Sequence, residues 1–467
     1  MFAKANVVKN ASHTLAYSLI ALQEMNLCFR YPIIFWNCAC LITNAGGSED
    51  EEESTNSDYD KIAKAIGKTQ EMGIKIVPPD INNSKYTFSP DVENNQILFG
   101  MKGMYSVGED LIATIIQNRP YVSVVDFYNR IKPKKNAMVS LIKSGCFDNL
   151  EDNRKLVMGW YLAETSDLKN KVNLQNMASL IKYNLLPKDE KIQLALRVYE
   201  FNRYLKAKCK TNRVDIYLLD ERAVDFMSKN NIGDNLIQNF QGNYLIQVKP
   251  WEKIYNFYMD YIRNYLKINQ AEVLQKLNDT IFKENWEKYA TGNYSKWEMD
   301  SICFYYHEHE LANINMGKYG IRKFSSLPEE PKVQKTFKKG NKTINIFELN
   351  RICGTCIAKD KNKGLVSLLT TTGVVTVKFS KDYFNLFDKQ ITEKDNNGVK
   401  HVLEKSWFNR GSKIVVMGIR RGDNFIPKKY ATTPGHELYR ITEVLPDGEI
   451  VLQTQRKAGI AEEDEEV

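Results

Sequence analysis

The chain is short of the features that mark export, membrane insertion or metal binding. Its N-terminal apolar region is broken by Glu24, Arg30 and Pro32, and the longest uncharged stretch there, Tyr31 to Ser48, ends in polar and glycine residues. That stretch is too short and too mixed for a membrane span, and a basic start with a small-residue cleavage site, as in a signal peptide, is missing. Cysteine is sparse. Eight residues without an export signal read as reduced thiols in a cytoplasm. Cys353-Gly354-Thr355-Cys356 is a lone CxxC with no second pair or well-spaced histidine, so both thiols are expected to pack in a strand rather than hold zinc. His307-Glu308-His309 lacks the three- or four-residue spacing that puts ligands on one helix face, which points to packing or surface. Asp58 and Asp60 have the shape of a two-metal carboxylate pair, but they lie in acidic low-complexity sequence with no strand, and no other credible set is present. No metal site is therefore expected.

What is present is a mildly basic chain of 467 residues, with net charge +8, 43% hydrophobic residues and 26% charged residues. Its mean hydropathy is -0.44. The length suggests about three domains. Cations cluster at Lys132, Lys134 and Lys135; at Arg203, Lys206, Lys208, Lys210 and Arg213; at Lys332, Lys335, Lys338, Lys339 and Lys342; and at Arg420, Arg421, Lys428 and Lys429. A charge run is commonly a solvated face, yet four clusters together favour a polyanionic partner.

The most informative segment is Phe99-Gly100-Met101-Lys102-Gly103-Met104-Tyr105-Ser106-Val107-Gly108, followed by Leu111, Ile112, Ile115 and Ile116 at helical spacing. Gly108 opens the second helix, whose first N–H groups lack partners and carry partial positive charge. This suits a phosphate, and the segment reads as a helix-hairpin-helix element that holds nucleic-acid backbone without reading bases. The alternative is an ordinary corner in a core. A second element runs from Asn136 to Ile142 and closes at Gly145-Cys146-Phe147-Asp148.

The remaining organisation follows from composition. The expected fold is multidomain α+β. Residues 1–45 read as a buried helical segment, 46–60 as an acidic linker, and 61–150 as the tandem helix-hairpin-helix domain. Residues 151–326 read as helical, with the aromatic stripe Trp251, Tyr255, Phe257, Tyr258, Tyr261 and Tyr265 taken as core. A linker is expected over 327–342 and an acidic tail over 458–467. Between them, 343–457 carries short β-rich runs punctuated by turns, which argue for a small OB-type β-barrel.

Three stretches together resemble the C-terminal part of the bacterial, or phage-encoded, replicative DNA polymerase III alpha subunit, family C. They are Asn10-Ala11-Ser12-His13-Thr14-Leu15-Ala16-Tyr17 with Gln23 and Tyr31-Pro32; Met72 to Asn82 running into the hairpin and on to Leu141-Ile142-Lys143-Ser144-Gly145-Cys146-Phe147-Asp148; and Trp297-Glu298-Met299-Asp300-Ser301-Ile302-Cys303-Phe304-Tyr305 with His309 and Leu311. Residues 151 to 290 diverge. The resemblance implies a fingers remnant, a tandem helix-hairpin-helix region gripping duplex DNA, and an OB domain. It implies nucleotide or template proximity for Lys9, Asn10, Ser12 and His13. For His13 a buried, satisfied histidine is an equal alternative. Duplex contacts are expected at Gly100, Lys102, Gly103, Ser106, Val107, Gly108, Lys134 and Lys135.

Single-stranded DNA is expected on the mixed cations and rings of Arg420, Arg421, Phe425, Lys428, Lys429 and Tyr430. Gln241-Gly242-Asn243-Tyr244-Leu245 has the outline of a sliding-clamp peptide, with Gln241, Tyr244 and Leu245 as contacts. Three departures stand out: Ala11 where the family has lysine, Ser106 where the hairpin has glycine, and Glu310 where proline is expected. The carboxylates that hold two metal ions in the family's palm are not among the matched residues, so this chain alone is not expected to polymerise or to bind the Mg of the complete enzyme. The expectation is the C-terminal section of a replicative polymerase, working in the cytoplasm, or host cytoplasm if phage-encoded, with a separate palm-containing polypeptide. The alternatives are a standalone, non-catalytic DNA-binding replication accessory protein and an interaction protein with no nucleic-acid role.

Overall fold

Two helices open the chain, α1 (Phe2–Arg30) and α2 (Ile33–Asn44), parted at Pro32, whose ring cannot continue a helix. The computed structural model describes residues 2–45, 59–205, 208–211, 214–240, 242–339, 342–394 and 400–455. The expectation that residues 1–45 are buried fails for α1. Leu15, Leu19, Leu22 and Leu27 are 53–63% exposed, and Phe29 is 92% exposed. Apolar side chains lie all round this helix instead of forming one stripe, so packing on one side could not cover them. By contrast, α2 buries Ile34, Cys38 and Leu41 and packs against α3 (Tyr59–Glu71), whose Ile62, Ala63 and Ile66 recur at helical spacing.

After Gly73 a short strand β1 (Lys75–Val77) is stopped by Pro78 and Pro79. It pairs parallel with β3 (Gln96–Leu98), which pairs antiparallel with β2 (Ser89–Asp91). Helices α4 (Glu109–Gln117), α5 (Val124–Ile131) and α6 (Lys135–Ser144) follow, and α7 (Arg154–Thr165) leads out of this unit. The first arm of the leading hairpin is a single 3-10 turn over Met101–Gly103. Helix α5 is capped by Ser123, whose hydroxyl accepts the Asp126 N–H at 3.0 Å. Helix α6 ends at Gly145, which has φ +86°; a Cβ there would sit 2.3 Å from an Arg154 guanidinium nitrogen.

Residues 159–291 form a compact unit of their own. It contains α8 (Met177–Lys182), α9 (Glu190–Tyr204), β4 (Lys208–Thr211), β5 (Val214–Leu219), α10 (Glu221–Lys229), β6 (Gln238–Phe240), β7 (Asn243–Gln247), α11 (Val248–Ile268) and α12 (Gln270–Tyr289). The purely helical expectation for 151–326 is thus corrected. A four-stranded antiparallel sheet, in the order β4-β5-β7-β6, lies between α9 and α11 in sequence. Most of the aromatic stripe on α11 is core. Trp251 is wholly buried and donates to the Asn202 side chain at 2.8 Å, Tyr255 and Tyr258 pack against the same cluster, and Phe257 faces out.

The other unit takes residues 1–158 together with 292–467. After α13 (Tyr294–Ile302), the stretch 327–342 is not a plain linker, because β8 (Val333–Lys339) and β9 (Lys342–Phe347) make a two-stranded hairpin. The barrel follows: β10 (Asn350–Asp360), β11 (Leu365–Thr370), β12 (Gly373–Lys378), α14 (Lys381–Phe387), β13 (Ile391–Lys394), β14 (Lys400–Glu404), β15 (Lys413–Arg421), β16 (Asn424–Pro427), β17 (Leu438–Val444) and β18 (Ile450–Gln453). Strands β10-β11-β12-β16-β15 close through the β10–β15 pair, and the β12–β16 pair is parallel. This is the five-stranded order of an OB fold. Its core includes Ile352, Cys356, Val366, Leu368, Val377, Ile414, Val416 and Phe425, the inward alternates of the barrel strands.

Candidate nucleic-acid interface

Gly108 is the N-cap of α4, with extended backbone (φ -81°, ψ 163°) and no side-chain cap. Among the described residues, no acceptor takes the backbone N–H of Ser106, Val107 or Gly108, and the first-turn amides of α4 have no partner within the helix. A Cβ built on Gly108 meets nothing within 4 Å, so this corner opens to solvent. Ser106, standing where the related hairpins have glycine, keeps the left-handed φ of +63° that the turn requires.

The other residues of this hairpin position it. Gly100 and Gly103 are buried: a Cβ on Gly100 would lie 2.4 Å from the Thr87 backbone, and one on Gly103 would lie 2.7 Å from the Phe99 ring. Both glycines serve close packing and offer no ligand surface, which corrects their expected contact role, while Val107 buries its side chain and keeps only its backbone N–H at the corner. Lys102 stands 3.6 Å from Glu109 and 5.4 Å from the Tyr86 ring centre, with its side chain 13% exposed. Glu109 also accepts from the Tyr86 hydroxyl at 2.5 Å, and this bond holds its carboxyl below the usual carboxylate range. With Asp110 beside them, Lys102 and the two carboxylates sum to about -1, so these neighbours add no net positive charge to the corner, whose amides remain.

The second hairpin supplies the cations. Lys132 closes α5 in the left-handed conformation (φ 48°), Pro133 follows, and Lys134 is the N-cap of α6 with no side-chain cap. Lys132 and Lys134 are exposed and Lys135 is half-buried. Lys132 lies in the same turn leading into α6 as Lys134, and was not among the expected contacts.

A buried ionic network fixes both hairpins in this unit. Arg154 makes a fork to Asp148 (2.9 and 2.6 Å), donates to the Lys143 carbonyl at 3.1 Å, and reaches Glu298 on α13 at 3.0 Å. Glu298 is fully buried and also takes the Tyr306 and His307 N–H groups (2.9 and 3.0 Å) and His307 Nδ1 (2.6 Å). The Tyr105 N–H donates to the Ser301 carbonyl at 2.7 Å, and Arg410 stacks on the Tyr105 ring at 4.1 Å. The Trp297-Glu298-Met299-Asp300-Ser301 run therefore braces the first hairpin, a role its spacing alone did not disclose. His309 is packed rather than metal-ligating: Nε2 meets the Leu369 carbonyl at 3.0 Å, and Nδ1 accepts the Leu311 N–H at 3.0 Å.

On the barrel, the expected single-strand residues separate. Phe425 is wholly buried in the barrel core, so its ring is unavailable for stacking. Arg420 is largely buried and donates to the Gly422 and Leu327 carbonyls at 2.8 and 2.7 Å, which makes it an anchor of the 324–327 turn. Lys429 donates to the Gly435 carbonyl. Arg421 and Lys428 instead approach the Phe347 ring, at 5.8 and 5.1 Å from its centre, and the Tyr430 hydroxyl accepts the Phe347 N–H at 2.7 Å. Phe347 was not singled out from the sequence, because nothing before folding places it beside the 420–430 hairpin. Burial pushes the Cys353 and Cys356 thiols up to about 12, and their side chains belong to different clusters.

The remaining expected sites sit on solvent-facing or undescribed segments. Ser12 and His13 are exposed on α1, which removes the buried-histidine alternative, and the His13 ring lies edge-on to Tyr17 at 4.5 Å. The side chains of Lys9, Asn10 and Asp60, together with Asp58, Gln241 and the 46–58 and 456–467 segments, lie outside the described residues. Tyr244 is 38% exposed, but Leu245 is buried on β7 and paired in the sheet with Leu218. Leu245 is therefore not free to enter a clamp pocket as an extended peptide would. Among the described residues, no three His, Cys, Asp or Glu side chains converge. Among the same residues, no helix is long and apolar enough to cross a membrane.

Comparison with known proteins gives a consistent picture. Residues 73–157 match the family model for the helix-hairpin-helix motif. The chain is 40% identical over 458 residues to a probable DNA polymerase, YorL, of Bacillus subtilis, covering 95% of this chain and 35% of that protein. The same figures hold for the DNA-directed DNA polymerase of Bacillus phage SPbeta. The DNA polymerase III subunit alpha of Thermus aquaticus is 33% identical over 160 residues, covering 33% of this chain and 12% of that subunit. The chain thus spans about a third of the length of the first of these relatives. Together with the motif match, these likenesses fit a C-terminal part of the DNA polymerase III alpha type.

Proposed function

We propose that this chain is the C-terminal section of a replicative DNA polymerase, contributing fingers, duplex grip and single-strand contacts to template-directed synthesis, with the palm and its Mg supplied by another polypeptide. The observation that carries this reading is the pairing of two open hairpins. One at 106–108 presents unpartnered amides, and one at 132–135 presents lysines, inside the segment that matches the helix-hairpin-helix motif. Amides and lysines of this kind hold phosphates without reading sequence. The exposed apolar residues of α1 support a protein partner over Ser12 and His13, the residues assigned with Lys9 and Asn10 to nucleotide or template. A clamp contact would rest on Tyr244 alone among the described residues of the Gln241 peptide. The setting is the cytoplasm, or the host cytoplasm for a phage protein.

Fluorescence anisotropy with a primer–template, repeated across a salt series, tests the DNA reading; affinity that does not fall with salt would overturn it. Primer extension with and without a palm-bearing polymerase polypeptide tests the division of labour. Stimulation on mixing supports the polymerase reading, and full DNA affinity without any stimulation supports the standalone accessory protein.

A further inference from the structure

An OB fold commonly takes its nucleic acid on the outer face of its second and third strands. In this chain the part of that face around Leu369, Val374 and Thr376 is covered. Leu369 on β11 and Val374 on β12 pack outward against Ala63 of α3 and against Met299 and Cys303 at the end of α13. Thr376, the next outward position on β12, is bonded to Lys64 of α3 at 3.1 Å. A strand of DNA could not reach this surface without displacing buried side chains.

A different surface stays open. Phe347 ends β9 with the Arg421 and Lys428 side chains near its ring, at 5.8 and 5.1 Å from the ring centre. Thr343, Asn345 and Phe347 alternate onto one face of the β8–β9 hairpin, where Lys338 pairs with Thr343 across the strands. The face therefore runs from an aromatic ring with two cations, through amide and hydroxyl groups, to a lysine at the tip, and the named positions include no carboxylate. All are exposed or half-buried.

Resting on the single-strand role above, we infer that single-stranded DNA is diverted off the usual OB face and runs along the β8–β9 hairpin. A base stacks on Phe347, and phosphates follow Arg421, Lys428 and Lys338. Rings stack on any base while cations track the backbone, so the path is sequence-tolerant.

The test measures binding of the full chain to fluorescein-labelled oligo-dT and, separately, to a blunt duplex. Phe347→Ala should weaken oligo-dT binding about tenfold. Lys428→Ala and Arg421→Ala should each lower the salt slope for oligo-dT by about 0.7. Lys363→Ala and Lys378→Ala, at the usual loop and face, should leave oligo-dT binding within about twofold, and all five should spare the duplex. Should Phe347→Ala fail to fold, photocrosslinking of 5-iodouracil oligonucleotide to the unaltered chain should label the peptide containing Phe347. Crosslinking elsewhere, or loss of binding only with Lys363→Ala or Lys378→Ala, overturns the diverted path while keeping a single-strand role. No oligo-dT binding by the unaltered chain overturns both, and the duplex arm reports independently on the hairpins.

Discussion

Replacing Gly108 with valine separates folding from DNA binding unusually well. The added side chain meets no protein atom within 4 Å, and φ -81° with ψ 163° is a conformation valine adopts freely. Losing glycine at an N-cap costs the fold no more than about 1 kcal/mol, so melting should be nearly unchanged. In the complex, however, two methyl groups would stand where a phosphate meets the 106–108 amides. Amide bonds to a charged acceptor are worth about 1.5–3 kcal/mol, so duplex affinity should fall at least tenfold. No cation is lost, so the slope of log affinity against log salt should hold. Lys134→Ala is the counterpart: it should lower the slope by about 0.9. The assay is anisotropy with a blunt duplex of several sequences at four or more salt concentrations. A folded Gly108→Val protein with unaltered affinity, or a loss confined to certain sequences, would refute backbone-only contact at this corner.

Three further outcomes follow from the packing. Glu298→Gln turns an amide NH2 toward donors on either side of the buried carboxylate, so the unit containing it should lose about 3–5 kcal/mol; calorimetry that finds under about 1 kcal/mol would remove the network from its bracing role. His309 is held neutral, because burial lowers its pKa and Nδ1 already accepts the Leu311 N–H. Below about pH 6.5 the unfolded chain takes up a proton that the folded one refuses. Stability should therefore decline as pH falls through that value, and a His309→Gln variant melting with the same pH profile would be evidence against it. Phe29→Glu, at a residue 92% exposed, should leave melting within about 0.5 kcal/mol yet reduce stimulation by a palm-bearing partner; unreduced stimulation would place the partner elsewhere.

Local rules were enough to read several elements. The Gly145 stop, the strand ended by Pro78 and Pro79, and the barrel strands with their Gly-containing turns are set by φ preference and by alternation of apolar residues, and the Gly108 helix start by the apolar spacing that follows it. These are properties of neighbours along the chain, so they survive without knowledge of the fold. The resemblance to the polymerase III alpha type was legible for a related reason, since its motifs are short runs with fixed order.

Tertiary structure decided what those residues face. Phe425 and Arg421 lie on adjoining strands of one hairpin, and their chemistry alone could not say that one ring would close the barrel core while the other side chain would reach across to Phe347. The leucines of α1 match those of a buried helix, and only the absence of a covering surface among the described residues left them in solvent. The sheet in 159–291 and the β8–β9 hairpin hid behind lysines and short strands, and the β5–β7 pair that joins the two halves of the sheet spans an intervening helix. Burial is a relation between segments distant in sequence, and so it was settled only when the chain had folded.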